Sequence, residues 1–117
     1  ESRVVLKIPP ALAPVKVAVF PLVKKDGLPE KAKEIYKTLR LIMNTQYEEK
    51  DSIGRRYRRQ DAIGTPYSIT VDHQTIKDNT VTVRHRDSMK QKRVAVDILT
   101  EYIFPKVDIN KLLEKLT

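Results

Sequence analysis

The sequence predicts an α/β fold, a three-layer α/β/α sandwich on a mixed, roughly five-stranded sheet. Two observations carry that prediction. Val15 to Val23, VKVAVFPLV, is almost continuously apolar and rich in β-branched residues, as in a strand covered on both faces of a partly parallel sheet. Along the chain, strand and helix patterns follow in the order β, α, β, α, β, β, β, α. That order makes the first three strands parallel neighbours and the last pairings antiparallel. At 117 residues the chain has room for one core.

The elements follow in order. Residues 4–14, VVLKIPPALAP, run into Pro9, Pro10 and Pro14 and read as an extended lead-in. Residues 1–14 are therefore expected to be a linker end, and 15–117 the domain itself. A first residue of Glu rather than Met fits that expectation. After the apolar strand, Pro29 opens a helix whose buried stripe is Ala32, Ile35, Tyr36, Leu39, Ile42 and Met43, with Asn44 ending it. Thr45 to Lys50 is short and charged, a strand fit for an edge.

Ser52 as N-cap, Gly64 as stop and Pro66 just beyond bound a second helix at residues 53–63. Pro66 to Asp72 alternates Tyr67, Ile69 and Val71 against Ser68, Thr70 and Asp72, a strand with one face less buried. A longer loop ending in the Asp78-Asn79 turn leads to the antiparallel strand Thr80 to Arg86. The Asp87-Ser88 turn leads to a fifth strand, Lys90 to Val96. Asp97 caps a helix that Pro105 interrupts, and Asp108 caps a last amphipathic turn or two with Ile109, Leu112, Leu113 and Leu116.

Composition narrows function. Lys+Arg number 23 against 15 Asp+Glu, a formal charge of +8, which favours a polyanionic partner, nucleic acid ahead of an acidic membrane surface. Without cysteine there is no disulfide or thiolate metal site, and the chain suits a reducing compartment. Two histidines, His73 and His85, are too few and too differently placed for a metal site. No apolar run approaches the roughly 20 residues that cross a bilayer, and the N-terminus has no signal-peptide pattern. A soluble, cytoplasmic protein is expected. Gly27, Gly54 and Gly64 form no phosphate-cradling fingerprint, and no serine sits in an elbow motif. No active site is encoded.

The helix at 53–63 carries the binding signal. It holds four arginines in five positions, and Arg55, Arg58 and Arg59 share one solvent face. Such a cluster is either a solvated helix face or a phosphate anchor. The scarcity of acids at helical spacing, Asp61 apart, leaves the face positive. Arg56 lies nearer the buried seam and needs a carboxylate partner or a route to the surface.

RNA recognition needs phosphate donors, flat groups for bases and polar groups for base edges. Arg55, Arg58, Arg59, Lys24 and Lys25 are the donors. Tyr57, Tyr67, Tyr47, Phe20 or an arginine plane are candidate platforms, with Phe20 and Tyr36 better suited to the core. Thr70, Asp72, Thr82, Arg84, Arg86 and Asp87 are candidate edge readers. For Arg84 and Arg86 a cross-strand ion pair is the competing reading. Lys24, Lys25, the start of the arginine helix and Asp72 or His73 are expected to meet beyond the carboxyl ends of the parallel strands, where open α/β sheets bind ligands.

The strings GRRYRRQDAIGTPYSITVD (Gly54 to Asp72), TVTVRHRDSMKQKRV (Thr80 to Val94) and ALAPVKVAVFPLVKKDGL (Ala11 to Leu28) closely resemble the C-terminal anticodon-binding domain of glycyl-tRNA synthetase, a class IIa enzyme. The resemblance runs from about Leu6 to Val96. Threonyl-, prolyl- and histidyl-tRNA synthetases share the fold with looser versions of these motifs. Two positions depart from the family: Ala62 and Lys90 stand where members usually have Glu.

The resemblance implies a parent glycine-tRNA ligase that uses ATP and Mg, and a homodimer formed through its missing catalytic core. This fragment needs no cofactor of its own and should not aminoacylate alone. Its implied partner is the anticodon loop of glycine tRNA, with cytosine at the second and third anticodon positions. Asp61, Asp72 or Asp87 would accept from cytosine, while Arg55, Arg58, Arg59, Arg84 and Arg86 divide between phosphate and base edges. The same fold also resembles the accessory subunit of the mitochondrial DNA polymerase, so an accessory nucleic-acid- or protein-binding domain is the alternative. A small-molecule α/β domain is disfavoured by the charge and the few glycines.

Overall fold

The apolar strand is the axis of the molecule. In the computed structural model, which describes residues 4–116, β1 (Val17–Pro21) is buried along its whole length. It pairs in parallel with β2 (Thr45–Tyr47) on one side and β3 (Tyr67–Val71) on the other. β4 (Thr80–His85) and β5 (Gln91–Ala95) continue antiparallel, giving a five-stranded sheet in the order β2-β1-β3-β4-β5. The mixed sheet and its parallel-to-antiparallel change follow the sequence pattern.

Alternation along each strand sends residues to two different layers. Val17, Val19, Ile69, Val71, Val81, Val83 and Val94 form an apolar core with Leu28, Ala32, Ile35 and Leu39 of α1 (Leu28–Leu39). Leu99, Ile103 and Val107 of α4 (Leu99–Val107) close the same core. The opposite face presents Phe20, Ser68, Thr70 and Arg84, and α2 (Ile53–Ile63) covers it with Arg56, Tyr57, Gln60 and Asp61. The boundaries of α2 arise as its caps dictate. Ser52 Oγ accepts from the Arg55 amide at 3.3 Å, and Gly64 ends the helix at φ 84°. A Cβ at Gly64 would also stand 3.1 Å from the Leu6 carbonyl.

Several expectations are corrected. The first helix ends at Leu39 rather than Asn44, so Ile42 is exposed and Met43 enters the core from outside the helix. Residues 73–78 are not loop but a helix, α3 (His73–Asp78). Asp72 caps it by accepting from the Thr75 amide, while Thr75 Oγ1 accepts from the Asp72 amide. β3 is buried on both faces because α2 covers Ser68 and Thr70. Asp97 lies inside a 3-10 turn, Val96–Ile98, and does not cap α4. Pro105 sits within α4, which continues to Val107, and α5 (Ile109–Leu116) follows with Asp108 Oδ1 accepting from the Asn110 amide.

The lead-in is fastened to the domain. The Leu6 amide donates to the Asp61 carbonyl at 3.0 Å, and Arg86 Nη2 donates to the Ile8 carbonyl at 2.7 Å. Lys16 Nζ donates to the Ala11 carbonyl, and Asn44 Nδ2 to that of Pro14. Pro10–Leu12 forms a 3-10 turn between these ties.

Candidate nucleic-acid interface

At the carboxyl ends of β1 and β3 the sheet and α2 leave an open groove of about 230 Å³. Leu22, Ile53 and Tyr57 form one wall, and Thr70, Asp72, Thr82 and Gln91 the other. The loop leaving β1 brings Lys24 and Lys25 two and three residues past Leu22, both exposed. Across the strand ends, Asp26 Oδ2 lies 2.9 Å from His73 Nε2. Arg55 stands exposed on the first turn of α2, beside Ile53. Of the residues expected at the strand ends, Asp72 lines the groove, whereas Lys24, Lys25, Arg55 and His73 are not among its lining residues.

Asp72 has the most constrained chemistry in the groove. Arg93 grips its carboxylate with two bonds of 2.7 Å, and Thr75 donates to Oδ1 from its amide and its hydroxyl. The Arg93 guanidinium, ahead of the Thr75 donors, holds the Asp72 carboxyl down at about 2. Three of these four bonds fall on Oδ1, so Oδ2 keeps room for another donor. Arg93 Nη1 also donates to Thr82 Oγ1, and Tyr57 and Thr70 share a hydroxyl contact of 2.6 Å.

Beneath the groove, Arg84 and Asp61 form a buried bidentate pair, with bonds of 2.9 and 3.1 Å. The Arg84 guanidinium also lies 4.7 Å from the Tyr57 ring centroid, covering one face of that ring. Its edge contact with Phe20 fixes the ring further. Arg84 thus finds its carboxylate on the helix, not across the strands. Arg56 satisfies its guanidinium on the carbonyls of Pro21 and Asp51 rather than on a carboxylate. Gln60, equally buried, donates to Gln46 and Glu48 and accepts from Thr65.

The predicted binding residues therefore separate by position. Lys24, Lys25, Arg55 and Arg58 are exposed, and Arg59 is half-engaged by Glu48 and Asp51. Asp72 lines the groove. Asp61 and Arg84 lie inside, and Arg86 is buried on the carbonyls of Gly64 and Ile8 with Asp87 against its outer edge. Of the expected aromatic platforms, Phe20 and Tyr67 are core and the Tyr47 ring is contacted by Tyr36 and Lys33, leaving Tyr57. Gln91 and Arg93 were not singled out from the sequence. The alternation of Gln91, Lys92 and Arg93, which places the first and third on one face, was the signal that could have found them.

Comparison with known proteins gives the family and the fold. Residues 16–104 match the anticodon binding domain family. The chain belongs to that family. Two relatives named glycine–tRNA ligase are 57% identical over 97 residues (Rhodopirellula baltica) and 53% identical over 108 residues (Clostridium tetani). These alignments cover 83% and 92% of this chain but only 18% and 23% of the relatives, so the chain spans about a fifth of their length.

Among solved structures, the RNA binding domain of threonyl-tRNA synthetase from Cryptosporidium parvum superposes with a TM-score of 0.76 at 21% identity. That match covers 86% of this chain and 25% of the other. Prolyl-tRNA synthetase from the same organism superposes at 0.77 with 23% identity, covering 95% and 24%. At such identities these likenesses show the fold. Among the described residues no helix is long and apolar enough to cross a membrane.

Proposed function

We propose that this chain is the anticodon-reading domain of a glycine–tRNA ligase, holding glycine tRNA for ATP- and Mg-dependent aminoacylation by a catalytic core outside this sequence. That parent would work in the cytoplasm as a homodimer joined through the same core. The observation that carries the reading is the groove beside α2, in a domain about half identical to segments of glycine–tRNA ligases.

Glycine anticodons carry cytosine at their second and third positions. Cytosine presents an amino donor where uracil presents an acceptor. Asp72 Oδ2 faces that difference directly: it would accept from the amino group and repel a carbonyl oxygen. Gln91, whose side chain takes no partner among the described residues, is suited to the neighbouring acceptors of the base. Lys24, Lys25, Arg55, Arg58 and Arg59 would take the phosphates. Asp61, Arg84 and Arg86, with Asp87, act from behind by fixing Tyr57 and the end of α2.

Binding to a glycine anticodon stem-loop, beside versions with each cytosine changed to uracil, tests the reading. Each change should cost about 1–3 kcal/mol at moderate salt, and Asp72→Asn should shrink that difference. Equal, salt-sensitive binding to every version would reduce the domain to a phosphate anchor.

A further inference from the structure

β5 is an edge of the sheet, and its alternation sends Gln91 and Arg93 to the groove but Lys92 and Val94 to the opposite face. There Lys92 meets α4. Its ammonium lies 5.3 Å from the Tyr102 ring centroid, and the Lys106 ammonium lies 3.8 Å from the same centroid. The Tyr102 hydroxyl is 3.1 Å from His85 Nε2. Among the described residues neither lysine has a carboxylate within ion-pair distance. The cationic surface continues into a cleft of about 170 Å³ lined by Lys106, Lys111 and Lys115. Asp108 is the one acid among the lining residues, against three lysines.

Lysines scattered on a surface are ordinarily just solvated. This pair differs because one ring gathers both. The ring's negative face attracts each ammonium, yet the two repel each other and have no acid to share. An anion that met both ammoniums would relieve that repulsion. Gln91 and Lys92 are consecutive, so only the edge of the sheet separates this cluster from the groove.

We propose that this face is a second RNA-contact site, where the backbone of a strand leaving the groove crosses β5 and places a phosphodiester between Lys92 and Lys106 at Tyr102. The proposal rests on the reading of the groove as an RNA site. His85 reports on it. Burial, and then Lys106 and Lys92, push its imidazole below the ordinary 6.5. The groups facing it are Lys92 from β5, Tyr102 and Lys106 from α4 and Tyr67 from β3. A phosphate seated among them would raise its pKa, whereas a merely structural cluster would leave it unmoved.

The experiment follows the His85 titration by NMR with and without the anticodon stem-loop, and measures salt-dependent binding of the Lys92→Gln/Lys106→Gln double variant. Expected are a rise in the His85 pKa with RNA and a several-fold loss of affinity in the variant. That loss should be equal for cytosine and uracil loops. The slope of log K against log salt should fall by about 0.7 to 1 per lysine. An unmoved His85 and an unchanged slope, in a protein that binds the stem-loop, would overturn the proposal. So would free inorganic phosphate or anionic vesicles moving His85 as far as RNA does. An oligouridylate separates the two readings: if cytosine preference is absent but oligouridylate shifts His85, the groove reading falls and the lysine site stands.

Discussion

The two faces of the sheet are closed by opposite chemistries. Under α1 and α4 the strands present valines and isoleucines to leucines and isoleucines, and apolar packing is the main tie between the layers. Under α2 the strands present Ser68, Thr70 and Arg84, and the helix answers with Arg56, Tyr57, Gln60 and Asp61. Apolar contact is non-directional and tolerates swaps that conserve volume. Hydrogen bonds are directional, and a buried polar group is costly once its partner goes. The apolar face therefore keeps the domain folded, while the polar face fixes where the groove's Tyr57 and Thr70 stand.

The largest expected effect comes from separating the Asp61–Arg84 pair. Asp61→Ala leaves a guanidinium buried without its carboxylate and should cost about 3–5 kcal/mol in denaturant unfolding. Replacing both partners, as Asp61→Leu with Arg84→Met, should recover much of that loss, because an apolar pair leaves no stranded charge. The double variant should still lose cytosine preference, since Tyr57 loses the guanidinium over its ring. Equal losses in the single and double variants would show that the pair does not organise this face.

Acid acts next. The native Asp72 carboxyl titrates at about 2, below its ordinary 3.8, so the folded state stays charged where the unfolded chain takes up a proton. The stabilisation is complete above about pH 4 and is lost as pH falls towards 2. It should amount to on the order of 1–2 kcal/mol once the solvent reach of the Asp72–Arg93 pair is allowed for. Stability measured against pH should lose that step in Asp72→Asn. A step that persists would assign it to another carboxylate.

These residues also show what the sequence could convey. Ser52 and Gly64 set α2 because caps act over three or four residues, and Val15 to Val23 announced its burial through hydropathy. The Asp61–Arg84 pair joins residues 23 positions apart, and neither neighbourhood marks it. The burial of Ser68 and Thr70 depends on the helix that covers them. α3 escaped notice because it is short and polar, and because its capping partner is Thr75 where Glu or Gln is the usual signal. Asp72 was found as a candidate reader, but its role as helix cap and Arg93 partner required the fold. The division of α2 between outward Arg55 and inward Arg56 was legible in the helical spacing, whereas the carbonyl partners that satisfy Arg56 required the fold.

On the apolar face, Ile103→Val removes one methyl group from a fully buried site and should cost about 0.5–1.5 kcal/mol. Cytosine preference should be unchanged, because Ile103 packs on the side away from the groove. A change in cytosine preference would mean that the two layers are mechanically coupled.

Arg55→Gln should move stability least, by no more than about 0.5 kcal/mol, because no side-chain partner holds Arg55 among the described residues. The helix keeps its cap, since it is the backbone amide of residue 55 that Ser52 accepts from. RNA affinity should nevertheless fall, and by the same factor for cytosine- and uracil-bearing loops, because a phosphate contact carries no base identity. The salt slope should drop by about 0.7 to 1. A selective loss for cytosine loops would instead place Arg55 on a base edge, moving the reading surface from the polar sheet face to the outer face of α2.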